Sequence, residues 1–175
     1  MSLSPPLPSL GTTTLPPGTL VEISSLLHDV LDHKYLAKEP EMKGRLEVFM
    51  ENTLTERDRS VVESVIKNVS YSKEVRGDLR LSDLTPFVLM LRNVVSDADK
   101  IEALGSIGLQ RCMEYAVETG SVGDEVFKHV AEHCDGKLLR LKDEFIRTEG
   151  GKIMAVEGHE YLRKWRLEIG SKYVE

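Results

Sequence analysis

Three groups of residues in this sequence are of types that could do chemistry. His129-Val-Ala-Glu-His133 places two imidazoles four residues apart, with Glu132 between them. On a helix that spacing puts both rings on one face, where they can reach a single metal ion. His28-Asp29 joins an imidazole to a carboxylate directly after the apolar pair Leu26-Leu27. Toward the C-terminus, Lys137, Arg140, Arg163, Lys164 and Arg166 gather positive charge around Trp165. Such a face could hold phosphate groups while the indole stacks on a base.

The letters of the first group resemble the H-x-x-E-H motif of the inverted zinc peptidases. That resemblance implies a zinc site on His129, Glu132 and His133, completed by a downstream glutamate. No second supporting motif follows. Both histidines sit one position before Val130 and Cys134, on the flank of an apolar stripe. A pair of half-exposed histidines on an ordinary helix accounts for them. His28-Asp29 is similar to the doublet of the HD-type phosphohydrolases. The resemblance implies a metal-dependent hydrolase with another histidine upstream and an aspartate on a later helix. Upstream lies only a proline-rich stretch, so His28 and Asp29 read first as the polar edge of an amphipathic helix. Arg76-Gly77-Asp78 reads as a turn. Ser96-Asp97-Ala98-Asp99 lacks the glycine and terminal glutamate of a calcium loop and reads as helix capping. There is no Gly-rich phosphate loop, CxxC pair or nucleophile elbow.

The chain has 175 residues, 41% apolar and 30% charged. A domain of that length buries roughly 70% of its unfolded surface and needs no disulfide or metal staple. Its two cysteines, Cys112 and Cys134, fall on apolar stripes, where a free thiol packs as a small hydrophobe. A net charge of −6 argues against a nucleic-acid module spread over the whole surface. Residues 1–20 carry no basic segment ahead of an apolar run, so no secretory signal is expected. No apolar run is long enough for a membrane span. An intracellular location is expected.

Helical periodicity organises the rest. Phe127, Val130, Cys134, Leu138, Leu141 and Phe145 are spaced by threes and fours, which places all six on one helical stripe. The same rhythm predicts a helix over 19–37, a second from Pro40, and a third after Thr55, with Asp58 completing an approximate capping box. A small hairpin or an irregular loop is expected at 70–81. A fourth helix starts at Thr85-Pro86, and a fifth, capped by Ser96 and Asp99, runs to Gly120. Within it Gly105 and Gly108 would let another helix approach closely. A sixth starts at Ser121 and Asp124 and runs to about residue 148, where Gly150-Gly151 ends it. The last covers about 152–168. The expected fold is therefore an all-α bundle of about six or seven helices over 19–175, behind a flexible proline-rich tail at 1–18.

The densest apolar run, Leu81 to Val94, exceeds one stripe, which marks either central burial or a partner surface. The functional expectation is an intracellular, non-enzymatic helical protein that works by protein–protein interaction and self-association as a homodimer. Phe87, Met90, Leu91 and Val94 are its partner face, and no cofactor is expected. The first alternative is a nucleic-acid-associated protein using Lys137, Arg140, Arg163, Lys164, Trp165 and Arg166. The second is a metal-dependent hydrolase.

Overall fold

The computed structural model describes residues 13–30 and 39–169, and it is all-α. The chain divides into two compact units, Met1–Arg92 and Asn93–Glu175. In the first, α1 (Pro17–Leu27) packs on α3 (Glu56–Ile66), and α2 (Met42–Thr53) also touches α3. Leu20, Met50, Val62 and Val65 are among the residues these helices bury. A short α4 (Tyr71–Arg76), a 3₁₀ turn (Leu81–Asp83) and the start of α5 (Pro86–Glu102) complete the unit. Two helix starts follow the expected chemistry. Thr55 accepts from the Asp58 amide at 3.2 Å, Thr85 from the Val88 amide at 3.3 Å, and Pro86 takes the first turn of α5.

The second unit holds the end of α5, then α6 (Gly105–Glu118), α7 (Asp124–His133) and α8 (Glu149–Glu168). Helix α6 packs on both α7 and α8. After α7 the chain continues through two π-helical stretches, Cys134–Leu138 and Leu141–Phe145. Their wider winding is visible where the Ile146 amide donates to the Leu141 carbonyl at 2.9 Å. The apolar stripe survives it: Val130, Cys134, Leu138, Leu141 and Phe145 are all buried.

Several boundaries differ from expectation, each for a local reason. Residues 13–18 are not a loose tail. Pro17 is the first residue of α1, where a missing amide proton costs nothing, and Thr14 is tied to α3. The rest of the expected tail and the end of the expected first helix, at 31–37, lie outside the described residues. Instead of a hairpin, 70–81 holds α4. Ser70 accepts from the Lys73 amide at 3.5 Å, and Gly77 ends the helix in the left-handed conformation at φ 73°. Helix α5 does not stop at Ser96, which is buried within it; the break falls at 103–104. There Gly108 serves the turn rather than a helix crossing, since a Cβ on it would lie 2.1 Å from the Ala103 carbonyl oxygen. Gly105 does meet another helix, with its Cβ position 3.5 Å from the Cα of Gly158 in α8. The sixth helical segment ends at Phe145, not near 148. Thr148 instead caps α8 by accepting from the Gly151 amide at 2.9 Å, so Gly150-Gly151 opens a helix rather than closing one.

Candidate functional site

His28 and Asp29 follow the last turn of α1. The His28 Nδ1 donates to the Ser25 carbonyl at 2.7 Å. That bond places the proton on Nδ1 and leaves the lone pair of the neutral ring on Nε2. The Asp29 Oδ1 lies 3.3 Å from that nitrogen. The imidazole is mostly buried, whereas the carboxylate is 64% exposed. An imidazole nitrogen and a carboxylate oxygen thus sit side by side, one on the protein and one toward solvent.

The helix that carries them is anchored at its other end. Asp58, fully buried on α3, accepts from the amides of Thr14 at 3.1 Å and Leu15 at 3.4 Å, and from the hydroxyl of Thr14. The Thr55 hydroxyl adds a further bond at 2.7 Å. Burial alone would raise this carboxyl. The bonds from Thr14, Thr55 and Leu15 outweigh it and hold the group below its ordinary range.

The second unit holds a matching arrangement that the sequence reading missed. Asp97 is buried on α5 and accepts from the Arg147 amide at 2.9 Å, and from the Thr148 amide and hydroxyl, each at 2.7 Å. Asp97 is thus a clamp on the entry to α8, and it caps no helix of its own. No local pattern could have revealed it, because its partners lie about fifty residues away.

The other candidate groups separate into those with an open face and those without. His129 Nδ1 is 2.9 Å from the Ser121 hydroxyl. The His133 pKa is held below its ordinary value by burial first, then by Lys137 and His129. Among the described residues no group of three or more His, Cys, Asp and Glu side chains is placed to hold a metal, so His129, Glu132 and His133 are not gathered as the H-x-x-E-H resemblance implies. The basic face loses its stacking residue: Trp165 is buried at 8% exposure. Four of its five cations face acids. Arg166 makes a two-pronged bond to Asp135 at 2.7–3.0 Å, Arg140 pairs with Glu144 at 2.6 Å and Arg163 with Glu160 at 2.8 Å. Lys164 lies 3.8 Å from Glu168.

The expected partner face also changes. Leu91 is 1% exposed and belongs to the core, because α5 buries its Val88–Leu91–Val95 side. Met90 and Val94 remain exposed, and Phe87 is half-buried. Arg76 and Asp78 pair with each other at 2.7 Å across the Gly77 turn. Neither thiol is activated. Burial raises Cys112, and burial with Cys112 and Asp135 nearby pushes Cys134 up to about 12. No helix among the described residues is long and apolar enough to cross a membrane.

No family model matches the chain. It is 30% identical over 156 residues to an uncharacterised Bacillus subtilis protein, YpgQ, a match that covers 86% of this chain and 70% of YpgQ. The crystal structure of YpgQ superposes with a TM-score of 0.64 at 25% identity, over 89% of this chain and 76% of that one. YpgQ in complex with ADP gives 0.65 at 24% identity, over 89% and 77%. A protein of Lactobacillus plantarum gives 0.66 at 22%, over 88% and 76%.

Proposed function

The chain belongs to the YpgQ family, and from that premise we propose that it is a metal-dependent phosphohydrolase of the HD type that takes a nucleoside phosphate. The observation that carries this reading is the pairing of His28 Nε2 with Asp29 Oδ1 at 3.3 Å, with Nδ1 committed to the Ser25 carbonyl. Metal-binding imidazoles have this form: the far nitrogen donates to a backbone carbonyl, which fixes the tautomer and the ring plane. One nitrogen and one carboxylate oxygen suit a first-row divalent cation. Among the described residues no third His, Cys, Asp or Glu completes a metal-holding group with this pair. A bound cation of this class supplies Lewis-acid polarisation of a phosphoryl oxygen. His28 orients and supplies a neutral donor, while the exposed Asp29 supplies negative charge to hold the ion. The nucleotide class rests on YpgQ, which was crystallised in complex with ADP.

Calorimetric titration of the full chain with ADP, with and without manganese, tests this reading. Manganese should strengthen ADP binding, and H28A and D29N should each weaken that metal-dependent binding by about tenfold or more with the helical signal retained. Absence of ADP binding in manganese, or unchanged affinity in both variants, would overturn it. Self-association is a second reading, favoured by the exposed apolar side chains Ile107, Met154 and Tyr161 on α6 and α8.

A further inference from the structure

His159 lies in the middle of α8 and is only 9% exposed. Among the described residues its Nδ1 is buried without a hydrogen-bond partner. A neutral imidazole tolerates this, because its one proton can sit on Nε2 and leave Nδ1 as a bare lone pair. An imidazolium carries a proton on both nitrogens. Protonation therefore places a donor at a buried atom with nothing to receive it, which costs the desolvation of that group in full.

The charges around the ring do not relieve that cost. The second π-helical stretch packs on α8 and brings Lys142 and Asp143, while α8 itself adds Glu160 and Arg163. Both carboxylates are already engaged. Asp143 accepts from Lys142 at 2.7 Å, and Glu160 accepts from Arg163 at 3.0 and 2.8 Å. Asp143 is also 68% exposed, so it faces water and not the buried nitrogen. Elsewhere around α8, Asp135 of the first π-helical stretch is held by Arg166, Asp97 of α5 takes residues 147 and 148, and Arg111 of α6 lies 3.9 Å from Glu102. Burial first, then Lys142, hold the ring below its ordinary value of 6.5; Asp143 and Glu160 oppose them, and Arg163 adds to them. The buried arrangement is at full strength above that ordinary value. It weakens as pH falls toward the lower folded one, because an opened ring takes the proton first.

We propose that His159 is an acid-sensitive latch that seals the middle of α8 on the π-helical turn at 141–145 while neutral and loosens that stretch once protonated. The Asp97 clamp and the Arg166–Asp135 bond keep the two ends of α8 in place, so the opening is local. The latch lies in the second unit and is independent of the His28–Asp29 site. Hydrogen exchange of the full chain, followed by mass spectrometry from about pH 8 to about pH 5 with intrinsic exchange rates divided out, tests it. Amides of 152–163 should lose protection by about tenfold at the acid end, with α6 and α7 unchanged. H159Q and H159L should abolish that loss. H133Q, at a second histidine whose pKa is lowered, should keep it. K142Q removes a cation that opposes protonation, so the midpoint of the loss should move to higher pH. Protection that stays constant down to the acid end overturns the proposal, as does a loss shared by every helix. A loss that persists in H159L overturns it too, and so does a K142Q midpoint that does not move.

Discussion

Asp58 in the first unit and Asp97 in the second are both buried, and each grips the segment that leads into another helix. Each accepts from two backbone amides and one threonine hydroxyl of that segment. The two differ in what else they hold. Asp58 sits in the first turn of its own helix and also bonds Thr55, so part of its work is local. Asp97 sits in the interior of α5, and its bonds to 147 and 148 tie together segments far apart in sequence. Its amide contacts are also shorter, at 2.9 and 2.7 Å against 3.1 and 3.4 Å for Asp58. The same side chain therefore serves as a local cap with a distant reach in one unit and as a purely tertiary clamp in the other.

The comparison is broken most directly at Asp97. Replacing it with alanine strands two amides and a hydroxyl in a half-buried setting, and Thr148 loses the contact that orients it as the cap of α8. Charge-assisted bonds of this kind are each worth about 1.5–3 kcal/mol and overlap when they share one acceptor, so Asp97→Ala should cost about 3–4 kcal/mol. Urea unfolding measures it. A loss below about 1 kcal/mol would mean that water replaces the carboxylate and that the clamp is incidental.

The contrast also explains what could be read from the sequence. Thr55 with Asp58, and Thr85 with Pro86, are signals four residues wide or less, and each marks a helix start in the structure. The apolar stripe through Cys134 and Leu141 was legible for the same reason, although the spacing could not show that the backbone winds locally as a π-helix. Ser96 with Asp97 and Asp99 has capping composition, yet the structure spends Asp97 on residues about fifty positions away, so the helix runs through. Helix α4 was illegible because six residues are too few to nucleate a helix in isolation. It is held by its caps and by Glu74, whose carboxylate meets the buried Arg92 at 3.0 Å. In the candidate site the His28-Asp29 doublet was visible as letters, but the Ser25 carbonyl that fixes its tautomer is a backbone contact that no composition reveals.

Asp58 should give a smaller loss than Asp97, because Thr14 is exposed and water can reach the released donors. Asp58→Ala is expected to cost about 2 kcal/mol at neutral pH. The pH dependence of the Asp58 contribution gives a second test. The folded-state carboxyl titrates below its ordinary value of 3.8, so the unfolded chain binds the proton first as acid is added. The stabilisation is complete above that ordinary value and is lost as pH falls through the lower folded one. The difference in stability between the unmodified chain and Asp58→Ala should therefore hold constant from about pH 7 to about pH 5 and shrink toward about pH 2. A difference that stays flat to the acid end would mean that Asp58 acts by packing and not by charge.

The smallest expected effect isolates the distant half of the Asp58 device. Thr14→Val keeps the branched shape and both backbone amides but deletes the hydroxyl that donates to Asp58. Thr55 still holds the carboxylate, so the loss should be about 1 kcal/mol. Removing a bond that favours the charged carboxylate raises its folded pKa toward the ordinary value, so the acid-induced loss of stability should start at the same pH as in the unmodified chain but be smaller and be complete at a higher pH. The effect must pass through Asp58. Thr14→Val on an Asp58→Ala background should cost close to nothing, which a double-mutant cycle in urea resolves. If the threonine substitution costs the same on both backgrounds, the entry to α1 is held by its prolines and by Leu20 packing, and the resemblance between the two clamps ends at geometry.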